Sequence, residues 1–204
     1  LACDEHINFL KPKIENRIET ILEDEKITKD GKDILVNSEI KSCLICIKNN
    51  LEIIIRANPD ELKKIIKFFQ IKYLCIAKKY KEKEPKPPIY KIVYNIFVEN
   101  GYDDYLSKVE IEKQKNSQKF KIEKEYHAYK LVENIGIKTC PYCNRSYISF
   151  INEKKDKDNQ TSKKTRPQLD HFYPKAIYPF LACSFYNLIP SCSACNHMKS
   201  DDDS

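Results

Sequence analysis

The chain has 204 residues, of which 41% are hydrophobic, so it is long enough for one ordinary domain or two small ones with a real core. Its formal net charge is +6 and its pI is near 8.7, a modest basic excess that fits a polyanionic partner without requiring one. No stretch approaches about 18 uncharged apolar residues, so we expect no membrane span.

Nine cysteines are present, an odd number, and two pairs of them have the spacing of metal ligands. No hydrophobic signal segment opens the sequence, so we expect a reducing cytoplasm and not a disulfide-bonded secreted protein. The first residue is Leu1 and not methionine, so we expect a fragment or a renumbered chain.

Helical periodicity dominates the first 57 residues. Apolar residues recur at helical spacing between residues 7 and 23, where Pro12 must lie in the first turn or break the helix. Residues 24–37 are charged and contain Gly31, which predicts a loop with at most a short strand at 34–36. Ser38 is predicted to cap a second helix that runs to about residue 57.

A strong helix start follows at Asn58-Pro59-Asp60-Glu61, which combines a capping side chain, a proline at the first position and acids in the first turn. We expect this helix to reach about residue 83. Residues 61–91 carry ten lysines and three glutamates, with aromatic residues interleaved. Two interpretations stay open: a surface that faces nucleic acid, or a solvated helix face over an aromatic core stripe, which the spacing of the aromatics favours.

The remaining sequence divides into a helical part and a smaller module. Prolines at 85, 87 and 88 precede a predicted helix at 89–99 that ends at Gly101, and residues 102–134 are predicted to be helical up to Gly136. We place a domain boundary near residue 135, with a helical region at 1–135 and a module at 136–204. Within the module, strands are predicted at 145–151 and 168–173. A short helix or loop is predicted at 178–185, and a helix at 193–203. Residues 153–167 are predicted to form a flexible, lysine-rich loop that can reach DNA.

The module contains two Cys-x-x-Cys pairs. We call Cys140 to Cys143 the first knuckle and Cys192 to Cys195 the second knuckle. Each knuckle places two thiolates near a common point, and two knuckles complete a tetrahedral zinc site. A Cys-x-x-Cys pair can also be a redox dithiol, but a redox site needs only one pair and lies in a thioredoxin-like βαβ unit, which is absent here. We therefore predict one structural zinc site.

A third Cys-x-x-Cys, Cys43 to Cys46, lies in an apolar helical run, where both thiols are expected to be buried packing residues. Cys3 and His6 have the spacing to complete a second zinc site with this pair. We favour the packing interpretation.

An Asp-His step lies between the two knuckles. Asp170 offers a carboxylate for a hard divalent cation, and His171 offers an imidazole that can act as a general base near pH 7. Asn196, directly after Cys195, offers a neutral oxygen ligand. Neighbouring strand residues face opposite sides of a sheet, so one of the pair Asp170 and His171 needs local distortion if both serve one site. A packed histidine is the alternative interpretation of His171.

Together these motifs resemble the HNH endonucleases of the ββα-metal type, specifically their zinc-clipped branch. The order of knuckle, Leu-Asp-His, knuckle and Asn is similar to phage resolvases that cut branched DNA, and residues 196–201 resemble the end of the HNH site in RNA-guided nucleases. The wider string resembles bacterial HNH proteins of anti-phage defence, some of them encoded beside an ATPase in Septu-like or retron-linked systems. The resemblance covers about residues 138–201 and does not extend to residues 1–135.

The resemblance implies roles for four residues. Asp170 and Asn196 would hold one Mg²⁺ or Mn²⁺, and His171 would activate the attacking water. Asn187 would buttress the loop and orient the histidine. His197 follows Asn196, and it stays open as an alternative metal ligand.

We therefore expect an α+β protein with a mostly helical N-terminal region and a small ββα-metal module clipped by a zinc site of four cysteines. The expected function is metal-dependent hydrolysis of DNA phosphodiester bonds, with Arg145, Lys175 and Lys199 as candidates for phosphate contacts. Two alternatives stay open: a non-catalytic zinc module that binds nucleic acid or a partner ATPase, and a ribonuclease that uses the same site.

Overall fold

The computed structural model describes residues 2–107, 127–148 and 166–199. The protein is α+β: helices predominate, and the described residues also form two small antiparallel sheets of two strands each. Predictions for residues 108–126, 149–165 and 200–204, which include most of the lysine-rich excursion, lie outside the described residues. None of the described helices combines the length and apolarity needed to cross a bilayer.

The first helix, α1 (Ala2–Asp24), contains Pro12 in its interior. The prediction that Pro12 lies in the first turn or breaks the helix is therefore wrong. Proline removes one backbone donor from the helix, but the apolar face of α1 is almost wholly buried, and this packing holds the helix together across the defect. That face consists of Ile7, Leu10, Ile14, Ile18 and Ile21.

A β-hairpin lies where the sequence predicts a loop at 24–37, and its second strand overlaps the short strand predicted at 34–36. Strands β1 (Lys26–Lys29) and β2 (Lys32–Leu35) pair in antiparallel register. Asp30 and Gly31 connect them with φ values of 51° and 72°. Positive φ at both central residues is typical of a type I′ turn, for which Asp-Gly is a strong sequence signal. The high charge of the segment favours a loop, and that prediction does not use the Asp-Gly turn signal within it.

The single helix predicted from Ser38 is two helices, α2 (Ser38–Asn49) and α3 (Leu51–Arg56). The side chain of Asn37, not of Ser38, caps α2 by accepting a hydrogen bond from the N–H of Ile40. At the break, the side chain of Asn50 donates to the carbonyl of Cys46. This local hydrogen bond offers the chain an alternative to a continuous helix.

Helix α4 (Pro59–Lys72) begins as predicted, with a capping box formed by Asn58 and Glu61. It ends about eleven residues before the predicted end at 83. The chain leaves the helix because Tyr73, Ile76 and Ala77 turn into the core, where each is nearly inaccessible to solvent.

Helix α5 (Pro88–Tyr94) continues directly into a π-helical segment, Asn95–Ser107. Gly101 lies inside that segment and does not end a helix as predicted. A Cβ atom at this position would lie 2.8 Å from the sulfur of Cys183, so the glycine permits close packing of the C-terminal module. Helix α6 (Ala128–Ile135) ends as predicted at Gly136, which has a φ of 70°.

The C-terminal module contains strand β3 (Gln168–His171), strand β4 (Leu188–Ser191) and helix α7 (Ser193–Lys199). β3 and β4 are antiparallel, with Asp170 opposite Ile189. Two short 3₁₀ turns, Pro179–Leu181 and Phe185–Asn187, lie in the connection between the strands. α7 follows β4 directly and contacts β3.

One hydrophobic core spans the N-terminal helices and the C-terminal module. Ile7 of α1 and Phe180 and Leu188 of the module belong to the same buried cluster. Polar contacts also cross the predicted boundary: His6 donates to the carbonyl of Cys183 at 2.8 Å, and Ser184 donates to the carbonyl of Ile54 at 2.7 Å. The division at residue 135 stays a prediction, but the two parts share their core.

The buried ring of His6 generates a prediction about acid stability. Burial lowers the pKa of His6 from 6.5 to about 4, so the unfolded chain takes up a proton first as the pH falls. The fold should lose roughly 3 kcal/mol from this residue as the pH drops from 6.5 to 4, and nothing from it above pH 6.5.

The variant His6→Gln keeps an N–H donor for the Cys183 carbonyl but cannot titrate. The difference in unfolding free energy, wild type minus variant, should therefore fall by that amount between pH 7.5 and pH 4 in urea titrations. A difference that stays constant over this range would contradict a neutral, buried His6.

Candidate metal centre

The first knuckle lies at the tip of a tight turn. The N–H of Cys140 donates to the carbonyl of Ser146 at 2.9 Å, and the N–H of Asn144 donates to the carbonyl of Cys140 at 2.8 Å. Asn144 has a φ of 49°, a left-handed conformation that asparagine tolerates better than most residues. A single bridge between Thr139 and Tyr147 closes the base of the turn. The predicted strand at 145–151 is thus represented, within the described residues, by this bridge.

The second knuckle lies where β4 passes into α7. Cys192 directly precedes the helix and Cys195 lies in its first turn. The N–H of Cys195 points at the sulfur of Cys192 at 3.5 Å, and the N–H of Asn196 donates to the carbonyl of Cys192 at 3.0 Å. Helix formation therefore sets the position of the second pair of thiols.

The two knuckles meet. The sulfur atoms of all four cysteines lie within 4.8 Å of one another. Four thiolates bound to one zinc at about 2.3 Å would lie about 3.8 Å apart, so a small contraction suffices to close the site. Four converging sulfurs are the donor set of structural zinc, and the predicted zinc ligands are therefore together. We call Cys140, Cys143, Cys192 and Cys195 the zinc clip.

Backbone N–H groups prepare two of the thiols for metal binding. Those of Ser146 and Arg145 lower the pKa of Cys143 to about 6, and that of Cys195 lowers the pKa of Cys192. A hydrogen bond with the sulfur of Cys192 raises the pKa of Cys195 to about 12. A metal ion must therefore displace at least one proton when it binds the clip.

Asp170 lies beside the zinc clip, and its side chain is almost inaccessible at 7% exposure. Its Oδ2 accepts a hydrogen bond from the hydroxyl of Tyr142, which is part of the first knuckle. The same oxygen accepts a second bond from the Nζ of Lys199, at 2.9 Å, from the end of α7. Both contacts of the carboxylate thus come from elements that carry the clip cysteines.

Asn196 contacts β3 at a neighbouring position. Its Nδ2 donates to Oε1 of Gln168 at 2.7 Å. Gln168 and Asp170 are two residues apart on one strand and share a face, and Asn196 and Lys199 are three apart on one helix and share a face. Asp170 and Asn196 therefore both face the interface of β3 and α7. Whether their oxygens converge on one ion stays a prediction.

His197, the alternative ligand, is exposed. Its Nδ1 lies 2.7 Å from the carbonyl oxygen of Ser193, within the same helix. This contact holds the ring against its own helix and not against β3.

The imidazole of His171 lies in the core. Its Nε2 donates to the carbonyl of Ala182 at 3.1 Å, and its ring meets the ring of Tyr102 edge-on at 4.4 Å between centroids. Burial lowers the pKa of His171 to about 3, with the nearby charge of Lys175 as the second cause. The ring is neutral at pH 7. Because β3 is regular, the imidazole and the Asp170 carboxylate leave the strand on opposite faces.

Asn187 uses its side chain entirely within the connection between the strands. Its Oδ1 accepts from the N–H of Tyr173 at 2.7 Å, and its Nδ2 donates to the carbonyls of Tyr173 and Leu181 at 3.1 and 2.9 Å. The loop from 172 to 187 is thus tied at both ends by one buried amide. Leu181 is next to Ala182, the hydrogen-bond partner of His171, so Asn187 also steadies that ring's position.

The three candidate phosphate contacts lie in different environments. Arg145 is exposed beside the first knuckle. Lys175 pairs with Asp103 at 3.1 Å and lies over the ring of Tyr102. Lys199 points inward, and its side chain is only 9% exposed.

The alternative second zinc site, formed by Cys3, His6, Cys43 and Cys46, is not present in the described part of the chain. Cys43 is buried, and burial strongly raises its pKa. His6 bonds to Cys183, and the zinc clip is the one ligand group of this kind that the described residues contain.

Two contacts of Asp170 are not predicted by the sequence motifs. Tyr142 has no predicted binding or catalytic role, although any residue between two zinc ligands is held close to the metal. Lys199 is predicted as a phosphate contact and not as a partner of Asp170. Its position three residues after Asn196, on the same helical face, is the signal that it can reach the same strand.

No protein-family model matches the chain, and neither a curated protein nor a solved structure matches it.

The zinc clip generates a prediction about metal content. Purified protein should carry about one zinc per chain, and Cys195→Ser should lose most of it, because a three-sulfur site closes the knuckles poorly. The first knuckle and α7 should lose their fixed positions with the metal, since α7 buries no residue of its own and packs on a strand of only four residues.

Cys46→Ser is the matched control, because Cys46 is partly buried and lies outside the clip. It should keep the zinc. Elemental analysis gives the metal content, and amide NMR signals of residues 166–199 report folding. A zinc-free protein with these signals intact would contradict the clip.

Proposed function

We propose that the chain is a metal-dependent endonuclease that hydrolyses phosphodiester bonds in DNA. The observation that carries the proposal is a buried carboxylate, Asp170, that already holds a cationic group at the face of α7. This carboxylate lies against the helix that starts at the zinc clip and carries Asn196. The order of strand, strand and helix around it is the order that the resemblance to ββα-metal nucleases implies.

The side chains around Asp170 suit a hard divalent cation. Asp170 and Asn196 supply a carboxylate and an amide oxygen, and Mg²⁺ typically uses only one or two protein groups of this kind. The ammonium of Lys199 beside Asp170 indicates that the site has room for a cation. A bound Mg²⁺ or Mn²⁺ would supply charge stabilisation to the phosphate and the leaving oxygen.

His171 is the proposed general base. It is neutral at pH 7, and its bond to the Ala182 carbonyl places the proton on Nε2. Nδ1 therefore carries the lone pair that accepts a proton from water. Asn187 holds the surrounding loop. Because His171 and Asp170 leave β3 on opposite faces, the proposal requires residues 171–173 to open locally when the substrate binds. The same opening must return the pKa of His171 from about 3 toward its ordinary 6.5, because a nitrogen with so low a pKa accepts a proton from water poorly.

The substrate face would include Arg145 and Lys175. Arg145 is exposed next to the first knuckle, and Lys175 can exchange its surface ion pair with Asp103 for a phosphate at small cost. A partner ATPase and a role in anti-phage defence rest on the sequence resemblance alone. RNA stays open as the substrate, since the same chemistry serves both polymers.

A non-catalytic zinc module is the second candidate function, and the packing of His171 favours it. The ring is buried against Tyr102, and Asp170 is paired with Lys199. A module that only binds nucleic acid or a partner protein would keep both side chains in these structural contacts.

A cleavage assay separates the two candidates. Supercoiled plasmid and single-stranded RNA are incubated with zinc-loaded protein and Mg²⁺ or Mn²⁺, with EDTA in a parallel reaction. The endonuclease proposal predicts nicking that EDTA abolishes. His171→Gln should reduce the rate by at least about 10²-fold, since it retains an N–H for the Ala182 carbonyl but has no basic nitrogen.

Glutamine is preferred to alanine at this position, because alanine would leave a cavity beside Tyr102. His197→Gln is the matched control, and it should cut at the parent rate. Equal rates for His171→Gln and the parent would refute the assigned mechanism. No cleavage of either polymer by zinc-loaded parent protein would favour the binding module.

A further inference from the structure

The ammonium of Lys199 has three oxygen partners. It donates to Oδ2 of Asp170 at 2.9 Å and to the main-chain carbonyls of His171 and Phe172, both at 2.8 Å. A lysine ammonium has three N–H donors, so all of them are used. Few surface lysines are held in this way, because each hydrogen bond costs side-chain freedom.

These three oxygens form a small cation site. They come from consecutive residues at the end of β3, and they converge on one point, which the nitrogen of Lys199 occupies. One carboxylate and two carbonyls are hard donors of the kind that divalent cations bind. The ammonium therefore stands where a metal ion bound by Asp170 would lie.

Two cations do not fit side by side at one carboxylate that is nearly closed to water, because their repulsion is poorly screened there. We propose that Lys199 is a built-in competitor, whose ammonium must leave Asp170 before a divalent cation can bind. This inference rests on the proposed function, since it concerns the same metal site. It adds a resting state in which the protein itself fills the cation position.

The surroundings of Lys199 give the displaced ammonium a place to go. Its nitrogen lies 5.9 Å from the centre of the Tyr142 ring and 5.2 Å from that of the Phe172 ring. Both rings are 38% exposed, so they line a route from Asp170 to the surface. Cation–π contacts along this route stabilise the released ammonium. There it would meet the phosphate of a bound nucleic acid.

Metal binding without nucleic acid tests the inference independently of cleavage. Zinc-loaded protein is titrated with Mn²⁺, and free Mn²⁺ is measured by electron paramagnetic resonance. Lys199→Met keeps the length of the side chain and removes its charge. If the lysine-displaced state has a population of one in ten or less, the variant should bind Mn²⁺ at least about tenfold more tightly than wild type.

Lys29→Met is the matched control, because Lys29 is also a partly buried, ion-paired lysine, but its partner is Glu99, outside the candidate site. It should bind Mn²⁺ like wild type. Adding Asp170→Asn to Lys199→Met should abolish the gain. Equal, Asp170-dependent affinity in wild type and Lys199→Met would overturn the competitor while leaving the proposed metal site intact. Binding that is absent from both, or indifferent to Asp170→Asn, would overturn the metal site as well.

A measurement on the wild-type chain covers the case in which Lys199→Met does not fold. The held ammonium should give a slowly exchanging ¹⁵Nζ signal in NMR spectra of selectively labelled protein. Saturating Mg²⁺ should shift that signal or broaden it away. A signal that is unchanged while Mg²⁺ binds would overturn the inference.

Discussion

The convergence of four sulfur atoms is the constraint on which the rest of the candidate site depends. A zinc ion bound by the clip would join the turn at 140–143 to the start of α7, and no disulfide or second metal-ligand cluster links these segments in the described residues. Tyr142 reaches Asp170 from the first knuckle, and Lys199 reaches it from the helix that the second knuckle begins. A module whose strands have four residues each has too little core of its own to fix these distances.

The second constraint is the charge of Asp170. Its side chain and that of Lys199 are 7% and 9% exposed, and removing one partner of such a pair typically costs about 3–5 kcal/mol because a buried charge is left uncompensated. The carboxylate therefore needs a cation at all times, whether an ammonium or a metal ion.

Two helix ends and the cysteine pairs could be predicted from short sequence patterns, whereas the positions of residues in the core depend on tertiary packing. The capping box at Asn58, the glycine cap at Gly136 and the two Cys-x-x-Cys pairs are local patterns, and each forms as expected. Pro12 and Gly101 were misinterpreted because tertiary contacts determine their roles: the buried face of α1 carries the proline, and the sulfur of Cys183 requires the glycine. The depth of His171 in the core was equally invisible, since it depends on Tyr102, which lies far earlier in the chain.

We propose that the four cysteines bind one zinc ion and thereby place Tyr142, Asp170 and α7 together. X-ray absorption at the zinc edge of the purified protein tests it most directly. Four thiolates bound to one ion would give a single shell of four sulfur atoms at about 2.3 Å. A shell that contains nitrogen or oxygen ligands in place of sulfur, or protein that is folded through α7 without zinc, would contradict it.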